Sequence, residues 1–270
     1  MRLINLPSLK SYPGRGIVLG FAPDGRALIA YFLMGRSANS KNRILSPDGD
    51  GLRAQAFDPA KVEDPSLIIY SPVRVLKNRT IVTNGDQTDT IHDFLKRGEN
   101  FEAALETREY EPDAPNYTPR ISGLVSFEGG GFSYELSILK RGAGCERFFF
   151  RYEAPKAGLA HLIHTYQPAT NPLLPFEGEP VAVTVDQEPK AFARSLWDAL
   201  DPDNKVALFV RAIDPKTLAF EDHIKTSWRR EHGAVNRIEI RPEPQPEARQ
   251  HLGALGGTPG EGALRATRLH

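Results

Sequence analysis

Residues 80–91 read Thr-Ile-Val-Thr-Asn-Gly-Asp-Gln-Thr-Asp-Thr-Ile. The stretch opens as a β run, because Ile81 and Val82 follow a turn over Lys77, Asn78 and Arg79. Asn84-Gly85 breaks the run, since glycine takes positive φ without a Cβ penalty and asparagine tolerates it. A helical pattern follows at once, capped by Thr88 or Asp89, with Ile91, Phe94 and Leu95 as its apolar stripe. A strand that ends in a polar turn at a helix start gathers amide donors and carboxylates in one place, which suits a site. The same residues also read simply as a hairpin strand leading into a helix.

N-terminal to this stretch, residues 16–21 and 27–34 are β-rich and are separated by Asp24-Gly25, a hairpin signal. The second run leads into Gly35-Arg36-Ser37-Ala38-Asn39-Ser40-Lys41-Asn42-Arg43. Three cations and several hydroxyl or amide side chains leave the strand together there. Arginine gives planar, bidentate recognition of phosphate, although a solvated loop has the same composition. Residues 46–51, Ser-Pro-Asp-Gly-Asp-Gly, resemble half of a calcium loop but lack its distant glutamate and full ligand spacing, so they read as a turn. Residues 67–70 read as a buried strand ending in Tyr70, with residues 73–76 continuing toward the central stretch.

C-terminal to it, residues 101–110 have helical spacing and stop at Pro112. Residues 121–127 and 132–140 read as strands joined by Gly129-Gly130-Gly131. That triplet is followed by no Lys-Ser/Thr pair and no helix, so a hairpin turn fits better than a phosphate loop. Residues 147–152 make a strand, and His161, His164 and Tyr166 lie in a mixed segment without a third metal ligand, which reads as a hydrogen-bonded histidine pair. A Pro/Gly-rich loop over 171–180, a strand over 181–185, a helix over 189–200 and strands over 206–213, 218–224 and 236–240 complete the pattern. Residues 1–241 read as one domain, and residues 242–270, poor in large apolar groups, as a mobile tail.

The chain has 270 residues, enough for a sizeable core, and its acids and bases balance at net charge zero. A general nucleic-acid or acidic-membrane partner is therefore not favoured. One cysteine, Cys145, cannot form an internal disulfide or a cysteine metal site, so a reducing cytoplasm is the expected compartment. The first residues lack a signal-peptide core, and no apolar run approaches the roughly 18 residues a membrane helix needs. Strands arriving in hairpins with helices between them give an α+β pattern with largely antiparallel sheets.

Five pieces in order carry a resemblance: Gly35-Arg36-Ser37 through Asn42-Arg43, the Tyr70 strand, Thr83-Asn84-Gly85 with Thr88-Asp89-Thr90-Ile91, Tyr110-Glu111, and Thr118-Pro119-Arg120-Ile121. Together they resemble the archaeal-type inosine monophosphate (IMP) cyclohydrolase family. The later half, including residues 158–166 and 175–180, is similar to longer bacterial IMP cyclohydrolase-like proteins. The resemblance implies an N-terminal nucleophile hydrolase-like αββα sandwich: two stacked antiparallel sheets between helical layers. It implies closure of the purine ring of formamido-imidazole-carboxamide ribotide to IMP with loss of water, without metal or cofactor. The implied partner is a small purine ribotide, and a homo-oligomer is compatible with the sequence. No Ser, Thr or Cys begins the first strand as a processed nucleophile, so a self-cleaving amidase is disfavoured. The alternatives are a non-catalytic purine-nucleotide-binding module and a cyclase or amidohydrolase on a related ribotide.

The chemistry and the resemblance together name candidates. A dianionic phosphate needs arginine and amide donors, for which Arg36, Lys41 and Arg43 are the best supplied, with Ser37, Asn42, Gly85, Asp89 and Arg120 as further substrate contacts. The oxyanion needs donors, and Asn84, Arg43 and Tyr70 are candidates. The resemblance maps Tyr70, Arg43 and Glu111 onto catalytic positions. The plainer readings make Tyr70 a strand aromatic, Glu111 a partner of Arg108, and Arg120 a sheet-edge ion pair.

Overall fold

The computed structural model describes residues 9–228 apart from 63, 64, 66, 67, 168, 169 and 171. The strand expected over 236–240 and the tail over 242–270 lie outside the described residues. The described residues form thirteen strands and four α-helices: β1 (Arg15–Phe21), β2 (Ala27–Met34), α1 (Ala38–Lys41), β3 (Arg43–Asp48), β4 (Gly51–Ala56), β5 (Tyr70–Leu76), β6 (Arg79–Thr83), α2 (Gln87–Lys96), α3 (Phe101–Glu106), β7 (Arg120–Glu128), β8 (Gly131–Arg141), β9 (Cys145–Tyr152), β10 (Leu159–His164), β11 (Val181–Thr184), α4 (Pro189–Ala199), β12 (Lys205–Ile213) and β13 (Phe220–Thr226).

Two antiparallel sheets result, one in the order β11-β10-β1-β2-β12-β13 and the other β3-β4-β5-β6-β7-β8-β9. Side chains alternate between the faces of a strand, and both faces are covered here. In β1, Ile17 and Leu19 point to the other sheet, while Val18 points to α4. In β6, Val82 faces the first sheet, and Ile81 faces α2 and α3. This two-sided burial explains why β2 is apolar throughout, Ala-Leu-Ile-Ala-Tyr-Phe-Leu-Met, and buried at every position. The layers therefore run helix, sheet, sheet, helix. Each outer helix buries one stripe: Ile91 and Leu95 on α2, Phe192, Leu196 and Trp197 on α4. Full burial of one such side chain contributes about 1.5–3 kcal/mol. No helix among the described residues is long and apolar enough to cross a membrane.

Several expectations need correction. Residues 68–70 are not the end of a strand: Ile69 is exposed, and Tyr70 is the first residue of β5. The turn over 46–51 is confined to its centre, with β3 and β4 paired on either side. The helix from Phe101 stops at Glu106, four residues short of Tyr110. Helix α2 starts at Gln87 after Asp86, with no side-chain cap. Thr88 instead turns its hydroxyl back to the Gly85 carbonyl, 2.9 Å away. His161 and His164 do not bond to each other, because a three-residue offset on a strand puts them on opposite faces. His161 pairs with the Tyr134 hydroxyl and His164 with the Tyr166 carbonyl.

Candidate active site

One end of the sandwich gathers the start of β1, the end of β2, the start of β3, the residues before β7 and those after β10. Between them lies a cavity of about 310 Å³, within the roughly 300–1,000 Å³ common for small-molecule sites. Its wall includes three cations, Arg15, Arg36 and Arg43, and two carboxylates, Glu111 and Asp113.

Arg15 and Glu111 pair with each other on this wall. Their two nitrogens and two oxygens meet at 3.0 Å each, with the side chains 11% and 4% exposed. Burial is the largest single influence on Arg15 and works against its charge, but Glu111, with Tyr70, Tyr166 and Tyr31, together hold the guanidinium above its usual range. Burial also lifts the Glu111 carboxyl above the usual range, with Arg15 opposing. The central turn backs this pair. Asn84 gives its carbonyl to Arg15 at 3.4 Å, and a Cβ on Gly85 would stand 2.7 Å from Arg120 Nη1 and 3.5 Å from Glu111 Oε1.

Arg43 is buried, and its Nε and Nη2 donate to the carbonyls of Ser40 and Met34 at 2.8 and 3.2 Å. Arg36 lies over the Tyr12 ring, 4.9 Å from its centre. Neither has a carboxylate within ion-pair distance among the described residues. Ser37 lines the same rim and exchanges capping bonds with Ser40 in the single turn of α1.

The other candidates do not reach the cavity wall. Asn84 is fully buried, its amide spent on the Pro119 carbonyl and its oxygen on the Ile121 amide and Gln87. Tyr70 is buried, with its hydroxyl 2.7 Å from that of Tyr31. Asn42 exchanges two 2.8 Å bonds with the backbone of Asp58. Lys41 contributes its carbonyl to the Trp228 indole at 2.6 Å, and that indole stacks on Phe57 at 4.3 Å, which pins the loop. Asp89 pairs with Arg74 on the exposed face of α2. Arg120 is not at a sheet edge: it is buried and bonds Asp86 and Gln87. Arg108 pairs with Asp86, which leaves Glu111 to Arg15.

Residues 12 to 15 and 166 escaped sequence reasoning. Arg15 stands at the head of an otherwise apolar strand, and a lone charge before a β run was the available signal. Tyr166, Thr118 and Asp113 also line the wall. Among the described residues, no group of three or more His, Cys, Asp or Glu is placed to hold a metal ion.

Residues 12–217 match the family described as IMP cyclohydrolase-like protein. Similar proteins carry the name IMP cyclohydrolase. One from Methanopyrus kandleri is 30% identical over 57% of this chain and 75% of its own length. One from Methanococcus aeolicus is 27% identical over 58% and 74%. One from Methanococcus maripaludis is 31% identical over 54% and 76%.

Proposed function

Because the chain belongs to the IMP cyclohydrolase-like protein family, we propose that it closes the purine ring of formamido-imidazole-carboxamide ribotide to IMP, with loss of water. The carrying observation is the pair of cations Arg36 and Arg43, which line the cavity beside the buried Arg15–Glu111 pair and have no carboxylate of their own among the described residues. A phosphate supplies the missing negative charge, and Ser37 at the rim adds a hydroxyl.

The carboxamide nitrogen is a poor nucleophile and must be held against the formyl carbon, where orientation alone can lower the barrier by several kcal/mol. In this reading Glu111, on the cavity wall, accepts an N–H from that carboxamide. Arg15 fixes the carboxylate and puts positive charge where the formyl oxygen turns negative. A proton must leave nitrogen, and another must reach the departing oxygen. The layer order supports an N-terminal nucleophile hydrolase-like assignment of the sandwich, with Arg15 rather than Ser, Thr or Cys heading β1.

Residues 1–241 are proposed as the unit that does this. Turnover of the formamido ribotide, followed by ultraviolet absorbance, tests the reading. Nucleotide binding without turnover would leave a binding module, and turnover of another ribotide would change the substrate.

A further inference from the structure

We propose that Tyr166, Thr118 and Asp113 form a proton relay opening into the cavity, which carries the proton from nitrogen to oxygen during ring closure. It rests on the reading of the cavity as the ring-closing site. All three residues line the wall.

The direction of the chain follows from counting protons. The Asp113 carboxylate can only accept. Thr118 Oγ1 lies 2.5 Å from Asp113 Oδ2, so its single hydroxyl proton goes there. The Tyr166 hydroxyl lies 2.5 Å from the same Oγ1, so Tyr166 must donate to it. The Tyr166 oxygen is left with acceptor capacity at the cavity end. The Thr118 amide, 2.6 Å from Asp113 Oδ1, fixes the carboxylate.

The phenol is fixed as well. Its ring stacks on Tyr12, with centres 6.2 Å apart. Gly14 sits at φ +79°, and a Cβ there would stand 2.6 Å from Tyr166 Cδ2, so any other residue would displace the ring. Burial pushes the Tyr166 phenol up to about 12. It therefore passes protons rather than resting as phenolate. A clamp for the 113–118 loop would need Asp113 and Thr118 alone. It would not need a phenol that donates its proton to Thr118.

The chemistry balances. As the carboxamide nitrogen bonds to the formyl carbon, its proton moves to Tyr166, that of Tyr166 to Thr118, and that of Thr118 to Asp113. The same path in reverse protonates the new alkoxide. A second passage takes the formamide N–H proton to the hydroxyl, which leaves as water while the C–O bond breaks and C=N forms. The relay ends as it began. Tyr166 is the catalytic residue, and Thr118 and Asp113 act through it.

The test compares turnover of the formamido ribotide and titration with IMP for the parent, Tyr166→Phe, Thr118→Val and Thr118→Ser. Tyr166→Phe and Thr118→Val should each lower kcat by about 100-fold, the low end for a positioned acid–base group. KM and IMP affinity should stay near those of the parent, and Thr118→Ser should recover most of the loss. If Thr118→Val does not fold, Tyr166→Phe, which keeps the ring, decides. Valine and serine variants that are equally active, or equally impaired while folded, overturn the relay and leave the cavity assignment standing. A parent that neither binds IMP nor turns over the ribotide overturns both.

Discussion

Arg15 and Glu111, separated by 96 residues, meet in two parallel 3.0 Å contacts at the mouth of the sandwich. The contact ties the first strand to the segment before β7. Such a buried pair stabilises little against an apolar substitute, but breaking one side strands a charge. Glu111→Gln should therefore lower unfolding stability by about 3–5 kcal/mol and suppress turnover. Arg15→Met combined with Glu111→Leu should regain much of the stability and none of the turnover. Denaturant unfolding of the three variants measures this. A Glu111→Gln protein as stable as the parent would show that Arg15 finds another partner.

Purine nucleoside monophosphates should raise the melting temperature, and the free nucleosides should not. The cause is mass action by a ligand that binds only the native state, through Arg36 and Arg43. Arg43→Lys removes the planar fork and two backbone anchors, and should weaken IMP binding by about tenfold, or about 1.4 kcal/mol. Equal shifts with nucleotide and nucleoside would sink the phosphate assignment.

Tyr31 is fully buried, and among the described residues its hydroxyl is partnered by that of Tyr70, 2.7 Å away. Either hydroxyl can donate to the other, so the pair holds one phenol proton more than it uses. Tyr70→Phe keeps the ring but strands the Tyr31 hydroxyl, at a cost of about 1–3 kcal/mol. The double change Tyr31→Phe, Tyr70→Phe should cost less than the single one. Turnover that falls in Tyr70→Phe and stays low in the double variant assigns the Tyr70 proton to the chemistry. Turnover that recovers with stability makes Tyr70 a packing residue.

The hairpins were legible because alternation and Gly-containing turns are local signals: β1 with β2 around Asp24-Gly25 and β7 with β8 around the glycine triplet both stand where the pattern puts them. The loop from Arg36 to Arg43 was legible as a cation cluster, and two of its three cations do line the cavity. What local pattern could not show is which distant groups share an end of the sheets. Asn84 looked like a free donor, yet its amide is consumed 35 residues away by Pro119. Glu111 looked like a neighbour of Arg108, yet the stacking of the two sheets brings it Arg15. β3 and β4 were missed because Pro47 and the polar turn around Gly49 masked a short edge hairpin.

His164 gives a pH dependence whose sign is set by burial. The ring packs edge-on to Phe176 and joins its Nδ1 to the Tyr166 carbonyl at 2.8 Å. Burial pulls it down from 6.5 to about 4, with the bond to Tyr166 opposing. The folded protein thus binds this proton more weakly than the unfolded chain does. Stability from this group is complete above about pH 6.5 and is lost as pH falls toward 4. A depression of that size corresponds to about 3 kcal/mol. His164→Gln stays neutral throughout and can still donate to the Tyr166 carbonyl. Between pH 7 and pH 4 the parent should therefore lose about 3 kcal/mol more than the variant, since carboxylate losses are common to both. Because the acceptor is Tyr166, acid that opens this corner should also cut turnover in the parent at a higher pH than in the variant. Parallel stability curves for the two proteins would mean that His164 is solvated enough to titrate normally, and the acid sensitivity would then belong to the carboxylates.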